Sequence, residues 1–381
     1  MKIMANDMKH TEGEVMLLKG NEAIAHAAIR CGVDGFFGYP ITPQSEIIET
    51  LAMLKPWETT GMAVVQAESE TASINMVYGA AGAGKRAFTS SSSPGIALMQ
   101  EGISYMAGCE IPGVVIDVSR GGPGLGTIQP SQADYTQMTR GGGNGDYRCI
   151  VLAPSTVQEM ADFVPLIFDL AFKYRCVGMI LCDGVIGQMM EKCVLPPYQP
   201  RWTEEEIRER CPWATTGRTK ERQPNIITSL EQTPEVMEER NLRMQEKYRT
   251  IQENETRCET YMTDDAEYII AAFGISARLA VTAIDELRKE GIKAGLFRPI
   301  TLWPYPYKEL EALCTKKTPN GENMVKGVLC AEINGGQMIE DVRLAIHDAL
   351  PIKHFGRMGG VVPEPDEIAE ALKNFIGGLN R

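Results

Sequence analysis

Residues 66–95, QAESETASINMVYGAAGAGKRAFTSSSSPG, constrain the fold more than any other stretch of the chain. An apolar strand candidate over 62–66 runs into Glu68-Ser-Glu70. A helix of small residues covers about 71–83, and a second strand over 86–90 leads into a serine turn closed by Pro94-Gly95. Strand, acid, helix, strand and polar turn make one crossover unit of a parallel α/β sheet. Such a unit sets a carboxylate at a strand's C-terminal end, where open parallel sheets gather ligands. Residues two apart do not share a helix face, so one of Glu68 and Glu70 points into a site while the other meets water. Glu70 is assigned inward.

The same rhythm extends in both directions. Asn21 is placed to cap a helix that stops at Gly32, and a short strand FFGY ends at Pro40. Thr42 before Pro43 has the form of a helix cap followed by a first-turn proline. Its hydroxyl, with the free N–H groups of that helix, could equally face the site of Glu70 and bind an anion; spacing leaves both readings open. A helix over 96–106 leads to strand 113–118, which delivers Arg120 into the glycine loop GGPGLG. Arg120 there is either a clamp for a carboxylate or phosphate or a solvated surface arginine. Further strands and helices carry a doubly wound α/β domain to residue 195. Residues 196–262 break the pattern with 13 acidic and 11 basic residues. There Met237, Met244, Tyr248 and Ile251 recur at helical spacing, which predicts an exposed helical arm with one apolar stripe. From 263 to 381 the α/β alternation resumes as a second, smaller domain.

Composition excludes several classes. A formal net charge of −12 argues against a nucleic-acid partner. No apolar run reaches membrane-spanning length and the first residues lack the apolar core of a signal peptide, so no membrane partner and a cytoplasmic location are expected. The ten cysteines include no C-x-x-C, and the four histidines, His10, His26, His347 and His354, form no ligand pair at helical spacing. An iron–sulfur cluster, zinc finger or metal held by this chain alone is not expected. Gly79 to Lys85 fits the start of a phosphate loop, but Arg86 stands where a magnesium-binding Ser or Thr belongs, and the order helix, turn, strand is the reverse of what that loop needs. Lys85 is read as a cation at a helix C-terminus. GGPGLG has Thr127 where a dinucleotide fingerprint ends in glycine.

Over nearly its whole length the sequence resembles the alpha subunit of the 2-oxoacid:ferredoxin oxidoreductases. The resemblance is carried by KGNEAIAHAAIRCGVDGFFGYPITPQSEI, by 66–108, and by SRGGPGLGTIQPSQADY, GGGNGDYR, GVIGQMME, LFRPITLWPYP and INGGQMIEDVRLAI with FGRMGG. Within the family it is most similar to the 2-ketoisovalerate (3-methyl-2-oxobutanoate) branch, in part through its long charged segment, with 2-oxoglutarate synthase close behind. The resemblance implies a pyrimidine-type thiamine-diphosphate-binding domain, then a transketolase C-terminal-like domain. It implies oxidative decarboxylation of a 2-oxoacid to acyl-CoA and CO2, with thiamine diphosphate shared with a partner subunit and electrons passed to ferredoxin. Magnesium and [4Fe-4S] clusters are then expected in partners: a beta subunit carrying the diphosphate motif, with gamma and ferredoxin-like delta subunits. By position, Glu70 resembles the glutamate that shares a proton with the cofactor's aminopyrimidine ring. Thr42 and Arg120 resemble the residues that hold the substrate's carboxylate and carbonyl, and Tyr39, Pro40, Ile41, Ser92 and Ser93 fall at cofactor-lining positions. The serine turn on its own pattern is equally a helix start. Two other readings are a catalytically silent scaffold, against which Glu70, Thr42 and Arg120 speak, and a thiamine-dependent dehydrogenase feeding lipoamide.

Overall fold

The computed structural model describes residues 13–218, 220 and 222–379; the segment before Gly13, with His10, lies outside the described residues. The first sheet has seven strands in the order Thr301–Trp303, Ile150–Leu152, Gly178–Asp183, Val114–Ser119, Ala87–Ser91, Gly35–Gly38 and Ala63–Gln66. All are parallel except the first. Every residue of Val114–Ser119 and Gly178–Asp183 is buried, as a parallel sheet covered on both faces requires.

From Gly35–Gly38 the chain steps outward to Ala63–Gln66, crosses back to Ala87–Ser91 and continues away to Val114–Ser119. Right-handed crossovers taken in opposite directions put their helices on opposite faces. Accordingly Ser45–Leu54 packs with Gly20–Arg30, whereas Ser93–Gly108 packs with Glu70–Gly82. The strand order thus reverses at Gly35–Gly38 and Ala87–Ser91, and a crevice opens beyond their C-terminal ends.

The second sheet runs Ile352–Gly356, Gly327–Glu332, Tyr268–Ala272, Ala294–Pro299 and Cys258–Tyr261, the last antiparallel. It builds its own core with helices Gly274–Lys289 and Pro365–Leu379, through Ile270, Ile284, Leu296 and Ile368. Cys258–Tyr261 falls in the stretch read as a helical arm, yet its backbone completes this sheet's edge. Thr301–Trp303, from the second α/β segment, in turn closes the edge of the first sheet. The arm's main helix, Pro234–Asn254, buries Met244, Tyr248 and Ile251. It lies on its own chain: Tyr248 stands edge-on to Trp303 at 5.6 Å, and Arg243 and Lys247 pair with Glu110 at 2.6 and 3.0 Å.

Two local expectations are corrected and one strand pair is added. Asn21 does not cap a helix, because Gly20–Arg30 already starts before it, with the Lys19 N–H taken by Glu22 at 2.7 Å. The antiparallel pair Val15–Lys19 and Met190–Val194 carries little apolar alternation and escaped the sequence reading. Lys85 lies past the helix end at Gly82 and pairs with Glu204 at 2.7 Å.

One loop joins the two sheets. Gln132 donates from its backbone to Ile333 O at 3.0 Å and accepts from Asn334 Nδ2 at 2.9 Å. Its side-chain amide donates to Phe273 O at 2.8 Å and accepts from Ser276 Oγ and Ile333 N at 2.9 and 3.0 Å. Beside it, Tyr135 donates to Asp341 at 2.6 Å and Arg140 pairs with the same carboxylate at 2.8 Å. Asp183, at the end of its strand, accepts from Val185 and Ile186 N–H on one oxygen and from Ile275 N–H on the other. Gly274, at φ +55°, allows this approach, since a Cβ there would stand 2.8 Å from Asp183 Oδ2.

Burial raises the Asp183 carboxyl from 3.8 to about 6, against the pull of those three N–H groups. The native state therefore holds this proton more tightly than the unfolded chain does. Its contribution to stability is complete below pH 3.8 and is lost as pH rises through about 6, a total of roughly 3 kcal/mol. Between about pH 4 and about pH 7, thermal unfolding of the wild-type chain should lose stability more steeply than that of Asp183→Asn. Parallel profiles would assign the slope to other groups.

Candidate active site

Six parallel strands point their C-terminal ends to one edge, and the loops leaving that edge bear the residues singled out in the sequence. Ala63–Gln66 is followed by exposed Glu68 and buried Glu70, the first residue of helix Glu70–Gly82. Ser69 caps that helix by accepting from Ala72 N–H at 3.1 Å, which turns Glu70 inward. Glu70 is only 6% exposed, and among the described residues its carboxylate has no hydrogen-bond or ion-pair partner. Its oxygens are not among the sealed unpartnered atoms, so the carboxylate is open to a donor from a ligand.

Gly95 is what admits Glu70. A Cβ at 95 would lie 2.0 Å from Ser91 Oγ, 2.6 Å from Glu70 Cγ and 2.7 Å from Glu70 Oε1. The helix there runs Ser93–Gly108, starting earlier than expected, so part of the serine turn is its first turn. Ser92 stands at the cap position but its hydroxyl caps nothing; it is fully buried and has no partner. Ser93 is engaged within the chain: its hydroxyl donates to Asp134 and accepts from the Arg120 N–H at 3.0 Å.

Arg120 is 6% exposed, which removes the solvated-surface reading. It donates from Nη1 to Thr42 O at 2.9 Å and from Nη2 to Leu125 O at 3.0 Å, while Nε is buried without a partner. Of five N–H donors, these bonds use two. The cap reading of Thr42 also fails. Gln44 takes the cap position of helix Ser45–Leu54, and Thr42 lies outside it, exposed, before a cis bond to Pro43. The whole turn is held by its carbonyls: Gln44 Nε2 donates to Tyr39 O at 3.0 Å, and Asn21 Nδ2 and Gln188 Nε2 donate to Pro43 O at 2.8 and 3.0 Å. Tyr39 and Pro40 are exposed and Ile41 is half-buried on its outer side.

The expected residues therefore form a connected chain. Glu70 meets the serine turn at Gly95, the serine turn meets Arg120 through Ser93, and Arg120 meets Thr42. Beside Arg120 a cavity of about 600 Å³ is lined by Pro94, Ala97, Pro123 and Asp134 from the first sheet's loops and by Asn334 and Met358 from the second. Sequence reasoning passed over Asp134, Gln44 and Gln132, polar residues without special spacing whose partners are remote in sequence. Gly95 carried a signal, a glycine after proline where a helix should already have begun. Among the described residues no cluster of His, Cys, Asp or Glu is placed to hold a metal ion. No helix among them is long and apolar enough to cross a membrane.

Residues 26–262 match the family described as "Pyruvate flavodoxin/ferredoxin oxidoreductase, thiamine diP-bdg", and 266–368 match "Pyruvate:ferredoxin oxidoreductase core domain II". Ketoisovalerate oxidoreductase subunit VorB of Methanothermobacter marburgensis is 45% identical over 96% of this chain and 99% of its own. The 2-oxoglutarate synthase subunit KorA of the same organism is 33% identical over 94% of this chain and 98% of its own. A 2-oxoglutarate:ferredoxin oxidoreductase from Magnetococcus marinus, solved with 2-oxoglutarate, coenzyme A and succinyl-CoA bound, superposes with a TM-score of 0.79 at 27% identity. That match covers 96% of this chain, which spans 66% of the solved one.

Gly95→Ala tests the enclosure of Glu70. The added methyl must displace the Ser91 hydroxyl or the Glu70 carboxylate, so turnover should fall at least about 100-fold, the effect of a roughly 1 Å misplacement of a reacting group. Gel filtration should show unchanged assembly. Turnover near wild type would mean that Glu70 has room to spare.

Proposed function

The chain belongs to the 2-oxoacid:ferredoxin oxidoreductases, as an alpha subunit, and from that membership we propose that it supplies the pyrimidine half of a thiamine diphosphate site that oxidises 2-ketoisovalerate to the branched acyl-CoA and CO2. The observation that carries this reading is the largely buried residue Glu70, its carboxylate unpartnered, beside the serine turn at the sheet's switch point. An aminopyrimidine fits there because its amino group offers N–H donors to the unpartnered Glu70 carboxylate. When bound, thiamine diphosphate supplies the nucleophilic carbon and electron sink that decarboxylation of a 2-oxoacid needs.

This chain's residues do the positioning and the proton handling. Glu70 would hold or release a proton at its carboxylate toward a ring nitrogen bound against it, in the space that Gly95 leaves open. Arg120 and Thr42, already joined through the Thr42 carbonyl, grip the substrate's carboxylate and carbonyl with the spare guanidinium N–H groups and the exposed hydroxyl. Tyr39, Pro40 and Ile41 border the ring. The carboxylate grip leaves the substrate's tail toward Pro94, Ala97, Pro123 and Met358, an apolar wall that suits a branched alkyl group.

Partner subunits complete the enzyme. A beta subunit brings the diphosphate and magnesium site, gamma and ferredoxin-like delta subunits accompany it, and [4Fe-4S] clusters in the partners carry electrons to ferredoxin. Coenzyme A takes the acyl group. The 45% identity to a ketoisovalerate subunit favours the branched acid; 2-oxoglutarate is the second reading, favoured by the ligands of the Magnetococcus structure.

Anaerobic viologen reduction by the chain co-produced with its partners, dependent on coenzyme A, tests both. It should proceed fastest with 2-ketoisovalerate among 2-ketoisovalerate, 2-oxoglutarate, pyruvate and indolepyruvate. Glu70→Gln should lower kcat by about 100-fold or more, the scale of a lost acid–base group. A preference for 2-oxoglutarate would move the substrate and keep the mechanism, whereas unchanged turnover in Glu70→Gln would remove Glu70 from the chemistry.

A further inference from the structure

Directly beneath the serine turn lies a second acid that the reading above does not use. Asp117, in strand Val114–Ser119, is 0% exposed, and neither carboxyl oxygen has a hydrogen-bond partner. Its register partner in the neighbouring strand is Ser91, the residue whose hydroxyl crowds Gly95 beside Glu70. The other acid at this point is Asp134, 6% exposed, whose Oδ2 accepts from Ser119 Oγ at 2.7 Å and from Ser93 Oγ. Asp134 also lines the cavity beside Arg120. An isolated ionised carboxylate with no donor in a sealed interior would cost many kcal/mol. Asp117 and Ser119, two residues apart on one strand, face the same side of the sheet, and Ser119 Oγ holds Asp134 there; two buried carboxyl groups brought together in this way avoid that cost by sharing one proton.

We propose that Asp117 is a neutral carboxylic acid that donates its proton to Asp134, and that this pair is the positioning element that holds Ser93 and, through it, Arg120. As two carboxylates, Asp117 and Asp134 are both acceptors, and Asp117 has no partner. With one proton between them, Asp117 becomes a donor and Asp134 accepts from three hydroxyl groups. Burial first, and then the neighbouring Asp134, push the Asp117 carboxyl well above the usual carboxylate range. Asp134 so anchored fixes the Ser93 hydroxyl, and Ser93 Oγ fixes the Arg120 backbone N–H at the start of the glycine loop. The guanidinium is thereby set at both ends, from its own backbone and from the Thr42 and Leu125 carbonyls. Asp117 touches neither substrate nor cofactor in this arrangement; it acts through Arg120, and the inference rests on the reading of Arg120 as the carboxylate clamp.

Asp117→Asn keeps a donor facing Asp134, and Asp117→Leu removes it. In the assembled enzyme, Asp117→Asn should leave KM for the 2-oxoacid within about twofold of wild type, while Asp117→Leu should raise it about tenfold or more with kcat changed less than about threefold, the signature of lost substrate grip. Arg120→Gln in the same assay should raise KM at least as much. If Arg120→Gln leaves KM unchanged, the clamp reading falls and this proposal with it. If Arg120→Gln raises KM but Asp117→Leu does not, or if Asn and Leu behave alike, only the proposal is overturned. Should the Leu variant fail to assemble, infrared difference spectra of wild type against Asp117→Asn decide. A protonated-carboxyl C=O band at neutral pH that the Asn variant lacks supports the shared proton, and no such band overturns it.

Discussion

The docking of Gln132 against Ile333 and Asn334 is the interaction on which the rest of the site depends. It spends both backbone groups and both side-chain functions of one buried glutamine on the second sheet's loops and on the start of helix Gly274–Lys289. Buried polar networks of this kind are valuable when fully satisfied and costly when broken, so the two sheets meet in one arrangement. The loop that carries Gln132 also carries Asp134, and its upstream end is Arg120. The loop 121–127 is clamped from the other side, where a Cβ on Gly121 would stand 2.8 Å from the Gly359 backbone. The position of the arginine is therefore set by a contact with the second sheet's loops that is remote from the reacting groups.

A second constraint comes from the sheet itself. Reversal of strand order at Gly35–Gly38 and Ala87–Ser91 leaves a crevice beyond their C-terminal ends, bordered by loops whose backbone groups need partners. The chain satisfies most of these with side chains drawn from distant blocks: Asn21, Gln188 and Arg120 all donate to carbonyls of the turn before helix Ser45–Leu54. What it leaves without a partner is specific. The Glu70 carboxylate, the Ser92 hydroxyl, the Asp117 carboxyl and Arg120 Nε are among the groups without one.

How far the sequence could be read varied with the range of the interactions involved. The crossover units were legible because strands and helices announce themselves through near-neighbour periodicity, and spacing showed that only one of Glu68 and Glu70 turns inward. The cap reading of Asn21, and the cap reading that was one of two open for Thr42, failed for the same reason: caps are recognised by local pattern, but the Asn21 side chain is committed to Pro43 and the Thr42 carbonyl to Arg120. The edge strands Cys258–Tyr261 and Thr301–Trp303 were missed because short strands are stabilised by the partner strand and carry little pattern of their own.

By itself the sequence determined the α/β class, the parallel crossovers, the family, and that Glu70, Thr42 and Arg120 stand at loops leaving one edge of a sheet. These are consequences of chain order and local periodicity. Only the tertiary structure decided which donors each acid and carbonyl would meet. It buried Arg120, freed Thr42 from its helix, shut Asp117 in beside Asp134, and folded the arm helix onto Trp303. Each of those outcomes depends on residues tens to hundreds of positions apart being brought into hydrogen-bond or packing distance. No window along the chain contains that information.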